Sequence, residues 1–148
     1  MSTPHDGPSG FLSSFIDDLY ALEQEIADGI PELHAYRWWE PGMDHPAIFN
    51  RLAWGNSSWP DRCTHREVLR LHVTISMRDD LDPGADMELL EEWVNIALGI
   101  LDPVLCGQGA MGVTHAVRNG IRPVDRAFGG SNIHGVAFPV IAQLDRHF

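Results

Sequence analysis

Seven carboxylates fall within the sixteen residues Arg78 to Trp93, RDDLDPGADMELLEEW, against one base at the first position. Oxygen ligands at that density are what a hard cation such as calcium recruits. Asp80, Asp82, Gly84 and Glu91 fall loosely on the register of a calcium-binding loop. The register then fails: the position that needs glycine is Ala85, the third oxygen ligand is Gly84, and Pro83 stiffens the ligand run. A helix start accounts for the same residues. Asp82 followed by Pro83 is a cap with proline at the first helical position, and Asp86 and Glu88 lie in the first turns, where the helix dipole favours negative charge. The stretch is the acidic start of a helix, and no metal site is assigned to it.

Three other constellations bear on chemistry. Cys63, His65, Cys106 and His115 have the ligand types of a zinc site, but structural zinc is held by closely spaced pairs such as CxxC or HxxxH, and neither spacing occurs. GQGAMG, residues 107–112, has the glycines of a phosphate loop without a following Lys-Ser pair, and it precedes a strand rather than a helix. No GxSxG motif places a serine in a strained turn, and Cys63 sits among loop residues without a catalytic signature. The expected protein is no enzyme and holds no cofactor or metal.

The elements that would position these residues come from hydrophobic periodicity. Phe11, Phe15, Leu19, Leu22 and Ile26, with Ile16 and Tyr20 beside them, predict a helix over about Ser9 to Asp28, closed by Gly29 and Pro31. Its polar face, Asp17, Asp18, Glu23 and Glu25, reads as acidic throughout. ELHAYRWWE (32–40) and HPAIFNRLAW (45–54) read as strands, and GNSSWPDRCTH (55–65) as a loop. LRLHVTISMR is the clearest strand: Leu69, Leu71, Val73, Ile75 and Met77 on a buried face, Arg70, His72, Thr74, Ser76 and Arg78 on a wet, basic one. A second helix runs from about Ala85 to Leu101 and is ended by Pro103. VTHAVRNGIRPV gives a strand, FGGSN a turn, and IHGVAFPVIAQLD a last strand in which Pro139 predicts an edge position or a bulge. The fold class expected is α+β: a mostly antiparallel, mixed β-sheet with two amphipathic helices packed on it, in the order α-β-β-β-α-β-β. Residues 1–10 read as a flexible arm, 11–148 as one domain.

Composition restricts the partners. The chain of 148 residues has a net charge of −11, and all ten of its basic residues are arginine. Residues 1–32 carry seven acids and residues 79–102 eight, with no base in either, so these segments hold −15 and the remainder nets +4. That balance argues against sequence-independent nucleic-acid binding, which needs a basic surface. Two cysteines predict no disulfide framework, no apolar run is long enough to span a membrane, and the N-terminus lacks the features of a signal peptide.

Candidate contact residues follow from aromatics and arginines. Trp38 and Trp39 are adjacent, so on a strand they face opposite sides and only one can enter a single core. Trp54 and Trp59 sit in or near the loop, either packed on the same chain or at an oligomer interface, where Trp and Arg are enriched. Arg118, Arg122 and Arg126 lie near the last two strands, opposite in charge to the acidic helices. In a ring of identical subunits such an edge can meet a neighbour's acidic helix head to tail.

An amphipathic helix leading into PELHAYRWW, the strand LRLHVTISMRDD running into ADMELLEEWVNIALGILDP, and the paired-strand tail GIRPVDRAFGGSNIHGVAFPVIAQLDRHF together form a pattern. It resembles the tail terminator proteins of long-tailed bacteriophages, particularly those infecting actinobacteria, over about residues 11–148. The resemblance implies an α/β fold with a mixed or antiparallel sheet that assembles as a homohexameric ring in the head-tail neck of the virion after synthesis in the host cytoplasm. Its partners would be itself, the tail tube protein and the head-tail connector or stopper, with genomic DNA passing through the lumen without sequence-specific binding. No catalytic residue carries over. WGNSSWPDRCTHRE has no place on the family pattern and is expected to dock a neighbour or contact the tube. Another neck protein, a stopper or connector, and a small cytosolic enzyme or ligand-binding domain are the alternatives.

Overall fold

The computed structural model describes residues 8–78, 83–108, 113–128 and 131–148. Helix α1 (Pro8–Gly29) begins inside the segment expected to be a flexible arm, so residues 8–10 belong to the helix. It leads to strand β1 (His34–Ala35), and a long hairpin of β2 (Ala47–Ser58) and β3 (Thr64–Arg78) follows. Helix α2 (Pro83–Leu101) starts at the proline expected to open it; its proposed cap, Asp82, lies outside the described residues. The chain then forms β4 (Cys106–Gln108), β5 (His115–Arg118), β6 (Arg122–Phe128) and β7 (Ser131–His147).

The fold is α+β, and the element order is the expected one up to α2; after it the short β4 is added, and the single strand expected over 113–124 is two, β5 and β6, separated by residues 119–121. The sheet runs β1-β2-β3-β7-β5-β4, and β6 pairs with the first half of β7. Only β1–β2 is parallel among the described pairs. Its spine is the antiparallel β3–β7 ladder, continuous from Thr64↔His147 to Arg78↔Ile133, roughly 50 Å long at the usual rise per residue.

Alternation on β3 sets the layers. Leu69, Leu71, Val73, Ile75 and Met77 are buried with Phe138, Val140 and Ala142 of β7, and onto this face pack Phe15, Ile16, Leu19 and Ile26 of α1 and Leu90, Trp93, Ala97 and Leu101 of α2. Both helices therefore lie on one side of the sheet. The opposite, outer face is covered only in part. Tyr36, Trp39 and Met43, from the segment between β1 and β2, pack there on Ala47 and Phe49. Along that segment His45 Nδ1 shares a hydrogen bond of 2.8 Å with Ser76 Oγ. Thr74 and Ser76, expected on a wet face, are consequently buried.

Three sequence readings need correction. ELHAYRWWE pairs only at His34 and Ala35; beyond them the chain climbs over the edge of β2, held by Tyr36 N–H to Ile48 O and Trp39 N–H to Asn50 O. The predicted loop 55–65 is mostly strand, because Gly55 to Ser58 pair with Leu69 to Arg66, leaving residues 59–63 as the turn. Cross-strand pairing has overridden the turn-like composition of Gly-Asn-Ser-Ser. Pro139 is neither at an edge nor on a bulge: β7 is central, and Pro139 pairs with His72 of β3. Its other neighbour changes at that point, with β6 reaching Ala137 and β5 starting opposite Val140. Pro139 accepts from Asn119 N–H at 2.7 Å, and the donor it lacks falls in the break between the two partner strands, where no ladder bond is lost.

Candidate functional site

The β2–β3 hairpin outruns the helical layer. From Arg51 to Ser57 every residue of β2 is exposed, on both faces of the strand. A bulge at Ala53 separates the pair Leu52↔Leu71 from Trp54↔Arg70. Leu52 therefore faces the side of the sheet that carries the helices, while Trp54 joins Arg70 on the outer face. Both remain about half exposed, at 48% and 51%. Trp59, in the turn, is 58% exposed although its ring centroid lies 4.9 Å from that of His65 and 5.6 Å from that of Phe148. The chain end is fixed to this turn, since Phe148 N–H donates to Cys63 O at 2.7 Å. Within the turn, the Cys63 N–H on the Asp61 carboxylate holds Asp61 below the ordinary carboxylate range.

On the outer face of this arm Ala53, Trp54, Val68, Arg70, His72 and Ile141 line an open groove of about 520 Å³. Two residues before Val68 on β3, the Arg66 guanidinium bonds both oxygens of Asp145 at 3.0 and 3.2 Å. Its lining is apolar at Ala53, Trp54, Val68 and Ile141 and cationic at Arg70. Such a patch is what a partner surface with apolar and acidic groups fits.

The other expected contact residues have separate fates. Trp38 packs on the main core and Trp39 on the outer cluster, so the two do face opposite sides, each half-buried within its own chain. Arg118 is a structural tie: it bonds Asp102 at 2.6 and 2.9 Å. Asp102 follows the last turn of α2, where no base offsets the negative helix end. Arg118→Ala should therefore lower stability by about 1 kcal/mol, read as a lower denaturation midpoint at unchanged m-value. Arg122 is exposed on β6; the Arg126 side chain lies outside the described residues.

The structure also groups residues that spacing did not. Ser57 Oγ lies 2.6 Å from His65 Nε2, and His65 Nδ1 lies 3.8 Å from Glu67 Oε1. These are the residue types of a nucleophilic triad, but 3.8 Å exceeds a hydrogen bond. Glu67 is 2% exposed and sits 3.9 Å from Arg146 as well, which reads as charge packing under the end of the hairpin. Hydrolysis of p-nitrophenyl acetate should stay at the buffer rate for the native chain and for Ser57→Ala alike; a native rate above buffer that Ser57→Ala removes would instead establish a triad.

A second group is buried between α1 and β2. Glu23 is fully buried, and Asn50 Nδ2 donates to its Oε1 at 2.6 Å and to Arg37 O at 3.0 Å. Burial pushes its carboxyl well above the ordinary glutamate range, against the smaller effect of the Asn50 bond. Glu23 is thus no part of the solvated acidic face. Residues 16, 19, 23, 26 and 30 follow the three–four spacing of the buried stripe, which was the available signal.

Of the residues weighed as metal ligands, Cys63 is exposed in the turn, His65 is bonded to Ser57, and His115 is exposed on β5. Asp80 and Asp82 and the side chain of Cys106 lie outside the described residues, Gly84 has no side chain to offer, and among those described no three His, Cys, Asp or Glu side chains converge on a cation site. No described helix is long and apolar enough to cross a membrane. No family model matches the chain, and no curated protein matches it.

Proposed function

We propose that this chain is a structural ring protein that caps the tail tube of a long-tailed bacteriophage, ends tube polymerisation and joins the tail to the head connector. The observation that carries the reading is the β2–β3 arm, exposed on both faces and bearing Leu52, Trp54 and Trp59 beyond the body of the domain. A self-contained domain gains nothing from leaving three large apolar side chains on one projecting hairpin, whereas an assembly subunit uses them as contacts. The α+β fold with two helices on one sheet face agrees with what the resemblance implies.

In this reading the partners are further copies of the chain, the tube protein below and the connector or stopper above. DNA passes through the lumen, and an acidic chain of net charge −11 holds phosphates weakly enough for it to slide. The protein acts by surface complementarity rather than by catalysis. Purified protein added to polymerising tube protein should halt elongation and collapse the length distribution, with Trp54→Asp abolishing the effect. Tubes that grow on unchanged would remove the terminator reading, and protein that binds connectors without halting tubes would move it to the connector or stopper.

A further inference from the structure

Two exposed apolar patches of opposite charge lie on opposite faces of the molecule. The first is the outer groove of the arm, with Trp54 and Arg70; residues 51–70 carry four arginines against Asp61 and Glu67. The second is the start of α2. Met87 is 57% and Leu89 40% exposed, and Glu88, Glu91 and Glu92 are exposed among them. Helix α2 contains no basic residue. Beside it Ile121 is 47% exposed and, with Val136 and Met87, lines a second shallow groove.

The two patches cannot meet within one chain. The arm groove is on the outer face at the level of Val68 and Arg70, while α2 lies on the other face. The α2 groove sits over Val136, which pairs with Ile75. Val68 and Ile75 are roughly 20 Å apart along β3. Helix α1 is acidic too, at Asp17, Asp18, Glu25 and Asp28, but none of its described side chains is among the exposed large hydrophobics. Among the described residues, the start of α2 sets the exposed large apolar side chains Met87 and Leu89 beside exposed glutamates, the two features the groove is built to receive.

We infer that the arm groove of one copy docks on the first turns of α2 in the next, Trp54 packing on Met87 and Leu89 while Arg70 meets Glu88 or Glu91. The contact uses different patches on the two copies, so it is head to tail. Repeated with a closing rotation it makes a ring. It rests on the reading of the chain as a ring subunit and specifies the joint of that ring.

Charge exchange tests the joint in the full-length chain, with mass measured by light scattering and folding by circular dichroism. The native chain should be multimeric; Arg70→Glu and Glu91→Arg should each weaken assembly at least about tenfold, and the two changes in one chain should restore it. As a second readout, Ala53→Cys on the arm and Glu92→Cys on α2, in a Cys63→Ser background, should form a ladder with a short bis-maleimide crosslinker, absent with either introduced cysteine alone. A multimer that neither charge reversal weakens would overturn this joint and leave the ring reading standing on other faces. A chain that stays monomeric, with no ladder free or on tubes, would overturn the joint, while the tube-length assay decides the function separately. Loss of tube binding by Arg70→Glu at unchanged mass would give the groove to the tube protein and overturn it too.

Discussion

Gly135→Ala is expected to destabilise the domain by more than about 3 kcal/mol, enough to abolish soluble native protein for a marginally stable chain. Gly135 sits in β7, paired with Ser76 of β3 and Val124 of β6. A Cβ built there would fall far inside van der Waals contact of the Ile75 carbonyl oxygen and only 2.9 Å from Ser76 Cα. The obstruction is backbone, not the end of a flexible side chain, so relief requires the two central strands to separate. Because β3–β7 is the spine against which both helices pack, separating it disturbs the whole core. Gly99, with nothing within 4 Å of the same construction, is the control; on helical propensity alone Gly99→Ala should stabilise by up to about 1 kcal/mol. Equal stability of native protein and Gly135→Ala in urea would refute the close approach.

The second large effect is a pH dependence carried by Glu23. Its native pKa is raised, chiefly by burial, above the unfolded value of about 4.3. The stability it contributes is therefore fully present below that unfolded value. It is lost as pH rises, at about 1.4 kcal/mol per pH unit, until the raised native value is passed. Above it the folded chain holds a buried carboxylate whose Oε2 has no hydrogen-bond partner among the described residues. Glu23→Gln keeps the acceptor for Asn50 and cannot ionise, so its contribution should be flat with pH. The variant should gain on the native chain steadily as pH rises above the unfolded glutamate value, and the difference should be largest at the top of the range. Asn50→Ala should do the reverse and cost about 2–3 kcal/mol, because it strips Glu23 and Arg37 O of their shared donor. Urea midpoints at pH 4 and pH 8 decide it. Parallel pH dependence in the native chain and Glu23→Gln would contradict the assignment.

These residues also mark how far the sequence could be read. The alternation of β3 announced its buried face, and Pro83 announced the start of α2, because each is a local pattern fixed by local geometry. Trp38 and Trp39 do pack on opposite sides, but not for the expected reason: they lie beyond the two-residue strand β1, and the segment crossing the edge of β2 places them. The buried position of Glu23 was encoded in its spacing, but residue type concealed it: a carboxylate joins a buried stripe only if a donor such as Asn50 comes from a distant strand. The arm escaped for the same reason. Gly55 to Ser58 have weak strand propensity, and only the partner residues 66–69 make them a strand. The face of Trp54 depends on the bulge at Ala53, a feature of the paired register. The groove is therefore a product of tertiary pairing, as is the acidic apolar surface that we match to it.

The most direct test of the central claim is electron microscopy of particles made by a phage that lacks this gene. A terminator predicts headless tails of uncontrolled, excessive length, restored to normal by the native gene and not by the Trp54→Asp variant. Ordinary virions with tails of normal length joined to filled heads would contradict it.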